Sequence, residues 1–395
     1  MEAQHFIQRV LEEEVEEFLG RGKSERLSSS GGIEGYRNGY GKQRKLSLSV
    51  GTVAVRRPRV RGVEEKFESK VLPLFQRQTP EVQKLLPELY LHGLALRDFD
   101  LALRGLLGDG APLSPATMLR LKAKWAVEYD EWKRRDLSDL ELVYTWADGI
   151  YVKAGLEDEK AALLVVIGAL SDGTKVLLAV ESGHRESIES WSRVLRDLKV
   201  RGLRCPKLTI ADGNLGLWGA LRSVYPHSSE QRCWNHKMVN VLDQLPKKLQ
   251  EKGKAAVQKI WHAETVAEAE KWKKEFGRTF GGQYPKAVQL LEKDWQMLVA
   301  YYDFPKEHWK HLRTTNVIES PFSAVRLRTS AAKRFKRVDS ATAMIWKLAL
   351  VAEKTFRRLN APELCGAVHR GTIFRDGVRI AAKGRTESNR KRAAA

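Results

Sequence analysis

Apolar residues recur along this chain with two different periods, and the switches between them mark its parts. Residues 3–19 place Phe6, Ile7, Val10, Leu11, Val15, Phe18 and Leu19 on one helical face and Glu12, Glu13, Glu14, Glu16 and Glu17 elsewhere, which predicts an amphipathic helix over 1–20. Across 21–78, Gly31-Gly32, Gly35, Gly39 and Gly41 lead into the alternating run LSLSVGTVAVRRPRVRG, a small β element. The helical period returns over 79–138 in three segments, 81–92, 96–107 and a third opening at Ser114-Pro115, an N-cap followed by proline at the first helical position. Three runs between 141 and 183 read as strands, with Ser171-Asp172-Gly173 turning the second into the third. A helix over 188–199 precedes a short buried strand at 207–211, a helix from about Asn214 and a strand near 230–233. From 239 to 310 the period is helical throughout, and 311–360 again has helical content. Residues 361–395 form a basic tail, expected to be disordered from 375 onward.

Three acids stand out against this pattern. Asp148 is alone inside the apolar, β-branched run ELVYTWADGIYVK, where a carboxylate must be paired or hold a metal. Asp212 ends the strand at 207–211, and Gly213 lets the chain turn, so its carboxylate points to the crevice where open α/β sheets bind ligand. Such an Asp can also simply cap the next helix; the second strand with Asp-Gly tilts the choice toward chemistry. Glu319, in TTNVIES, is the sole acid between Glu307 and Asp339. There are 63 residues between Asp148 and Asp212 and 106 between Asp212 and Glu319. Cys233 and His236 form a Cys-x-x-His that supplies two of the four ligands of a structural zinc, with Cys205 or His227 as the remaining candidates, so zinc is disfavoured.

Charge narrows the partner. The formal net charge is +20 and the pI about 9.8, in a chain with 43% apolar residues, which describes a folded protein facing a polyanion, by default nucleic acid. Arg37, Lys42, Arg44, Lys45, Arg56, Arg57, Arg59 and Arg61 stud the β element and suit backbone phosphates. Arg120, Lys122 and Lys124 lie on the third helix of a unit that resembles a helix-turn-helix. Arg326 and Arg328 follow Glu319. With no long apolar segment or signal peptide, the chain is expected to be soluble, cytoplasmic and free of membranes. Three scattered cysteines make a disulfide framework improbable.

The strand order, three antiparallel strands, a helix, then a fourth strand beside the first, resembles the ribonuclease-H-like fold: an α/β core interrupted by an all-helical insertion, with Asp148 and Asp212 side by side. The ordered set Asp148-Gly149, ADG at 211–213, QRCWNHK at 231–237, TTNVIES and VRLRT resembles the bacterial insertion-sequence transposases of the Mutator type. The likeness extends from GYRNGY at 35–40 through SPATMLRLK to WKLALVAEKTFRRL.

That resemblance implies a DDE transposase that binds terminal inverted repeats, cleaves at the element's ends and joins the 3′-hydroxyl to target DNA. Asp148 would bridge two Mg²⁺ ions, with Mn²⁺ an alternative, and Asp212 and Glu319 would each hold one. Cys233, His236 and Asn316 would support the site, and at least two subunits would act on DNA. The apolar face of the first helix is the favoured pairing surface, and Trp261, Trp272 and Trp295 of the insertion are the alternative. A metal-dependent nuclease or resolvase of the same fold, or a non-catalytic DNA-binding regulator, are the rival readings.

Overall fold

The computed structural model describes residues 2–25, 34–48, 51–72, 79–94, 102, 115–154, 160–183, 185–332 and 334–380. The chain forms two compact units, Met1–Ala123 and Lys124–Ala395.

In the first unit, α1 (Glu2–Leu19) precedes β1 (Tyr36–Tyr40), β2 (Arg44–Leu48), β3 (Gly51–Val55) and β4 (Pro58–Arg61), followed by α2 (Pro80–Leu91). The strands pair antiparallel, β1 with β4 and β2 with β3. Leu11, Val15 and Leu19, four residues apart, are buried, and Leu11 shares a core with Leu46, Val55 and Leu72. Phe18 packs on Phe67 with ring centroids 5.2 Å apart. The helical face expected to pair subunits is therefore largely used inside its own unit, because the β element offers the apolar surface that its glycine-rich approach conceals. Phe6 remains 58% exposed. The acidic face is engaged too: Glu14 accepts from the backbone N–H groups of Lys70 and Val71 at 2.8 and 3.0 Å. Gly31-Gly32, Ser114 and the helix expected at 96–107, save Ala102, lie outside the described residues.

The division between units falls inside α3 (Pro115–Trp132), earlier than the boundary near 138 that the sequence pattern suggests. The end of α3 belongs to the second unit. There the Tyr129 hydroxyl donates to the Val180 carbonyl at 2.7 Å, and Tyr129 and Trp132 pack against Trp346.

The second unit is built on β5 (Leu142–Lys153), β6 (Lys160–Leu170), β7 (Lys175–Gly183), β8 (Leu208–Ala211) and β9 (Ser229–Arg232), in the order β7-β6-β5-β8-β9. The first three run antiparallel, and β8 and β9 lie parallel to β5. This is the strand arrangement the hydrophobic pattern predicts. One face packs on α4 (Ile188–Val200) and α5 (Leu215–Val224), with Ala147, Leu164, Val166 and Leu178 against Trp191, Leu195, Trp218 and Leu221. Strand alternation sends Tyr144, Trp146 and Asp148 to the other face. There Tyr144 hydrogen-bonds His308 at 2.8 Å, and Trp146 donates to the His311 carbonyl at 3.0 Å.

That second face receives the long helical excursion: α6 (Trp234–Leu242), α7 (Lys247–His262), α8 (Val266–Phe280), α9 (Pro285–Lys293), α10 (Trp295–Val299) and α11 (Trp309–Leu312). The chain then returns through α12 (Asn316–Ala332) and α13 (Val338–Glu353). The start of the basic tail is ordered, contrary to expectation for residues 375–379. After α14 (Glu363–His369), β10 (Phe374–Arg375) and β11 (Val378–Arg379) form a hairpin with Phe374 buried. Gly377, at φ +77°, donates to the Tyr302 carbonyl, and a Cβ there would lie 2.8 Å from the Trp309 ring. Among the described residues no helix is long and apolar enough to cross a membrane.

Candidate active site

Register brings the two aspartates together. Parallel pairing of β5 with β8 sets Trp146 opposite Ile210, so two residues further along each chain Asp148, within β5, and Asp212, just past the end of β8, stand side by side. Gly213 turns at φ +105°, and a Cβ there would sit 2.4 Å from Arg232 Nε. Asn214, not Asp212, caps α5: its side chain accepts from the Gly216 N–H at 2.7 Å. Asp212 Oδ1 instead accepts the Asn214 N–H at 2.9 Å, which fixes the carboxylate at the sheet tip.

Asp148 is pushed up to about 7 by burial and then by the neighbouring Asp212, while the Gly149 N–H at 2.8 Å and His236 act in the opposite sense. A third carboxylate here was not singled out in the sequence. Glu186 accepts from Asn214 Nδ2 at 3.0 Å and is raised chiefly by burial, with Asp212 adding to it. It explains the glycine of Asp148-Gly149, since a Cβ at Gly149 would lie 2.3 Å from Glu186 Oε1. That glycine was the available signal, but it does not say which residue crowds it.

Glu319 lies in the first turn of α12 and accepts a hydrogen bond from the Thr315 hydroxyl. The Thr315 N–H and hydroxyl also approach Cys233 Sγ at 3.4 and 3.2 Å, and His236 Nδ1 is 3.9 Å from Glu319 Oε1. Ligand atoms of Cys233, His236 and Glu319 lie within 4.8 Å of one another. They form the one such group among the described residues; Asp148, Asp212 and Glu319 are not gathered so tightly. The residue that joins the Cys-x-x-His is thus Glu319, rather than Cys205 or His227, and the set remains one ligand short of a structural zinc site. Hydrogen bonds with His236 and Thr315 outweigh burial and bring the Cys233 thiol down. The hydrogen bond with Cys233 raises His236 to about 9, with Glu319 and Asp212 adding to it, so a cation sits among these groups at neutral pH.

The run QRCWNHK at 231–237 fastens the helical excursion to the sheet. Gln231 Nε2 donates to the Leu298 carbonyl, and Gln231 Oε1 accepts from the Tyr301 N–H. Trp234 donates to the same Leu298 carbonyl at 2.8 Å. Arg232 and the fully buried Lys237 both pair with Asp294. Asn235 donates to Asn316 Oδ1 at 3.0 Å, tying this segment to the start of α12. Asn316 therefore holds the helix that carries Glu319.

Sequence comparison decides the family: "Transposase, Mutator family" matches residues 2–358. The chain belongs to the Mutator family of transposases. It is 46% identical over 296 residues to the transposase for insertion sequence element IS6120 of Mycolicibacterium smegmatis, covering 75% of this chain and 92% of that one. It is also 46% identical over 279 residues to the transposase for insertion sequence element IST2 of Acidithiobacillus ferrooxidans, covering 70% and 94%. Among solved structures, the Drosophila P element transposase strand transfer complex matches with a TM-score of 0.31 and 10% identity over 72% of this chain and 83% of that one, too distant to carry a structural argument.

In this Mutator-family transposase the cations expected to meet DNA divide into two sets. Lys42, Arg44, Arg57, Arg59 and Arg61 line a cavity of about 650 Å³ in the first unit, where Lys66, not singled out in the sequence, and one acid, Glu64, join them. Lys45, Arg56, Arg120, Lys124 and Arg326 are exposed, Lys124 beside Glu128, while Lys122 lies over the Tyr90 ring. Two do not fit the expectation. Arg37 is held by Glu12 and Glu16 of α1 at 2.7 and 3.2 Å, and Arg328 turns inward on α12, only 3% exposed.

Proposed function

We propose that this transposase is a DDE enzyme with a ribonuclease-H-like core, which cleaves DNA at the ends of its element and joins the freed 3′-hydroxyl to target DNA. The observation that carries the reading is the adjacency of Asp148 and Asp212 on neighbouring parallel strands, with Asp148 pushed up to about 7. Two crowded carboxylates facing each other are an all-oxygen donor set that a hard divalent cation relieves, so the residues fit Mg²⁺, or Mn²⁺ in its place. Asp148, Asp212 and Glu319 would hold it. Magnesium bound there supplies Lewis acidity that activates the attacking oxygen and stabilises the leaving one.

The chain's own groups do the rest. Asn214 holds Asp212, and Thr315 orients Glu319. Protonated His236 offers positive charge beside both acids, where a scissile phosphate gathers negative charge. Cys233 accepts from the Thr315 N–H, a contact that braces the turn leading into the Glu319 helix. The cation-lined cavity of the first unit and the helical region 79–138, read from the sequence as helix-turn-helix-like, bind the terminal repeats. At least two subunits pair the element's ends.

The test is cleavage and joining of labelled element ends in Mg²⁺, beside a gel shift. Asp148→Asn, Asp212→Asn and Glu319→Gln each abolish both steps and keep end binding. Full activity in any one of them would sink the assignment, and cutting without joining would mark a nuclease or resolvase instead.

A further inference from the structure

A cavity of about 980 Å³ opens at the start of α4, with lining residues on either side of Glu186 in the chain, and nothing in the chemistry above uses it. Arg185, Ser187, Ile188, Arg193 and Arg196 line it, with Glu189 the acid among them. The three arginines are exposed, and Arg193 and Arg196 lie three residues apart on α4, hence on one face. Other arginines nearby are neutralised, Arg201 by Asp197 at 2.9 Å and Arg222 by Glu230 at 2.7 Å. Arg193 and Arg196 make no ion pair among the described residues; Arg193 donates to the Ser182 carbonyl, which steadies its guanidinium.

Position gives this charge a purpose. Arg185 and Ser187 flank Glu186, the carboxylate that bonds Asn214 and acts on Asp148. A concave cationic surface that begins one residue from a cluster of acids is suited to hold a polyanion whose next segment must approach those acids. Three arginines and three serines on an open surface form a donor set that matches the repeated phosphates of a sugar-phosphate backbone.

We propose that this cavity is a phosphate-binding track, taking backbone phosphates of the DNA strand on one side of the scissile phosphate. The inference rests on the reading that DNA is cut at Asp148 and Asp212, and it assigns Arg193 and Arg196 as the contacts that lay the strand across α4.

The test uses the full-length chain with Ile188→Cys carrying a photoactivated crosslinker, a site 55% exposed at the cavity. The probe is a 30-bp DNA duplex in EDTA, with unsubstituted protein given the same reagent as the control for its own cysteines. Crosslinking through position 188 is expected, falling at least fivefold when Arg193→Gln and Arg196→Gln are added and returning with Arg193→Lys and Arg196→Lys. The slope of log affinity against log salt should also flatten by about 2 in the glutamine double variant, because each lost phosphate contact removes about 0.9. DNA binding with no crosslink at 188, or a yield and slope indifferent to the glutamines, overturns the track and leaves the transposase reading standing. Failure of the wild type to cleave element ends in Mg²⁺ overturns that reading and the track with it.

Discussion

Asp148 must be ionised to hold a cation, yet burial and Asp212 both favour its neutral form. A carboxyl raised from 3.8 to about 7 on folding gives the metal-free fold its full benefit below the unfolded value, and that benefit is lost as pH rises toward 7. Each pH unit in that window removes about 1.4 kcal/mol. In EDTA the protein should therefore lose stability between pH 4 and 7, and Asp148→Asn should abolish most of that slope in urea melts; parallel pH profiles for the two proteins would refute the coupling. Added Mg²⁺ should recover the loss at pH 8. Thr315 makes a separate case, since its hydroxyl bonds Glu319 while its N–H remains for Cys233. Thr315→Val should raise the Mg²⁺ requirement for cleavage by about 10- to 100-fold, the usual effect of removing a ligand's supporting hydrogen bond, and Thr315→Ser should restore it. An unchanged Mg²⁺ titration would mean that Glu319 is oriented by something else.

At the scale of elements, the strands were the readable part, because period-2 apolar runs and the turn at Asp172-Gly173 leave little choice of pairing. The aspartates were legible for the same reason, as polar exceptions in apolar strands. The run at 231–237 was not: it reads as an isolated Cys-x-x-His because Asp294, Leu298, Tyr301 and Thr315, which give its side chains their partners, come some 60 to 80 residues later. Arg37 misled similarly, since its acids stand on a helix more than 20 residues earlier. Glu186 carried no pattern of its own, and only Gly149 hinted at a crowded neighbour. From the buried Lys237–Asp294–Arg232 set, Lys237→Met should destabilise the second unit by about 3–5 kcal/mol, because it removes one partner of a buried ion pair. Denaturant melts check this, and a loss under 1 kcal/mol would show that Arg232 alone satisfies Asp294. Leu11→Ala should cost the first unit about 2–5 kcal/mol, as a deleted buried side chain does, whereas a pairing surface would leave the monomer's stability untouched.

For the molecule as a whole, two compact units meet in sequence within α3, so a cut at 135 would take Tyr129 and Trp132 away from the unit they help to build. A fragment of residues 1–123 should keep the cation-lined cavity and bind duplex DNA with an affinity that falls steeply from 50 to 200 mM salt. Salt-insensitive binding, or none, would move end recognition to the other unit. The contact of Thr315 with Cys233 spans 82 residues, and closing a loop of that length costs about 4 kcal/mol of chain entropy. A growing chain can thus pair its sheet and set Asp148 beside Asp212 long before Glu319 has left the ribosome. If the chemistry proposed above holds, synthesis itself imposes a delay, because the third acid of the set joins the first two only when the excursion closes.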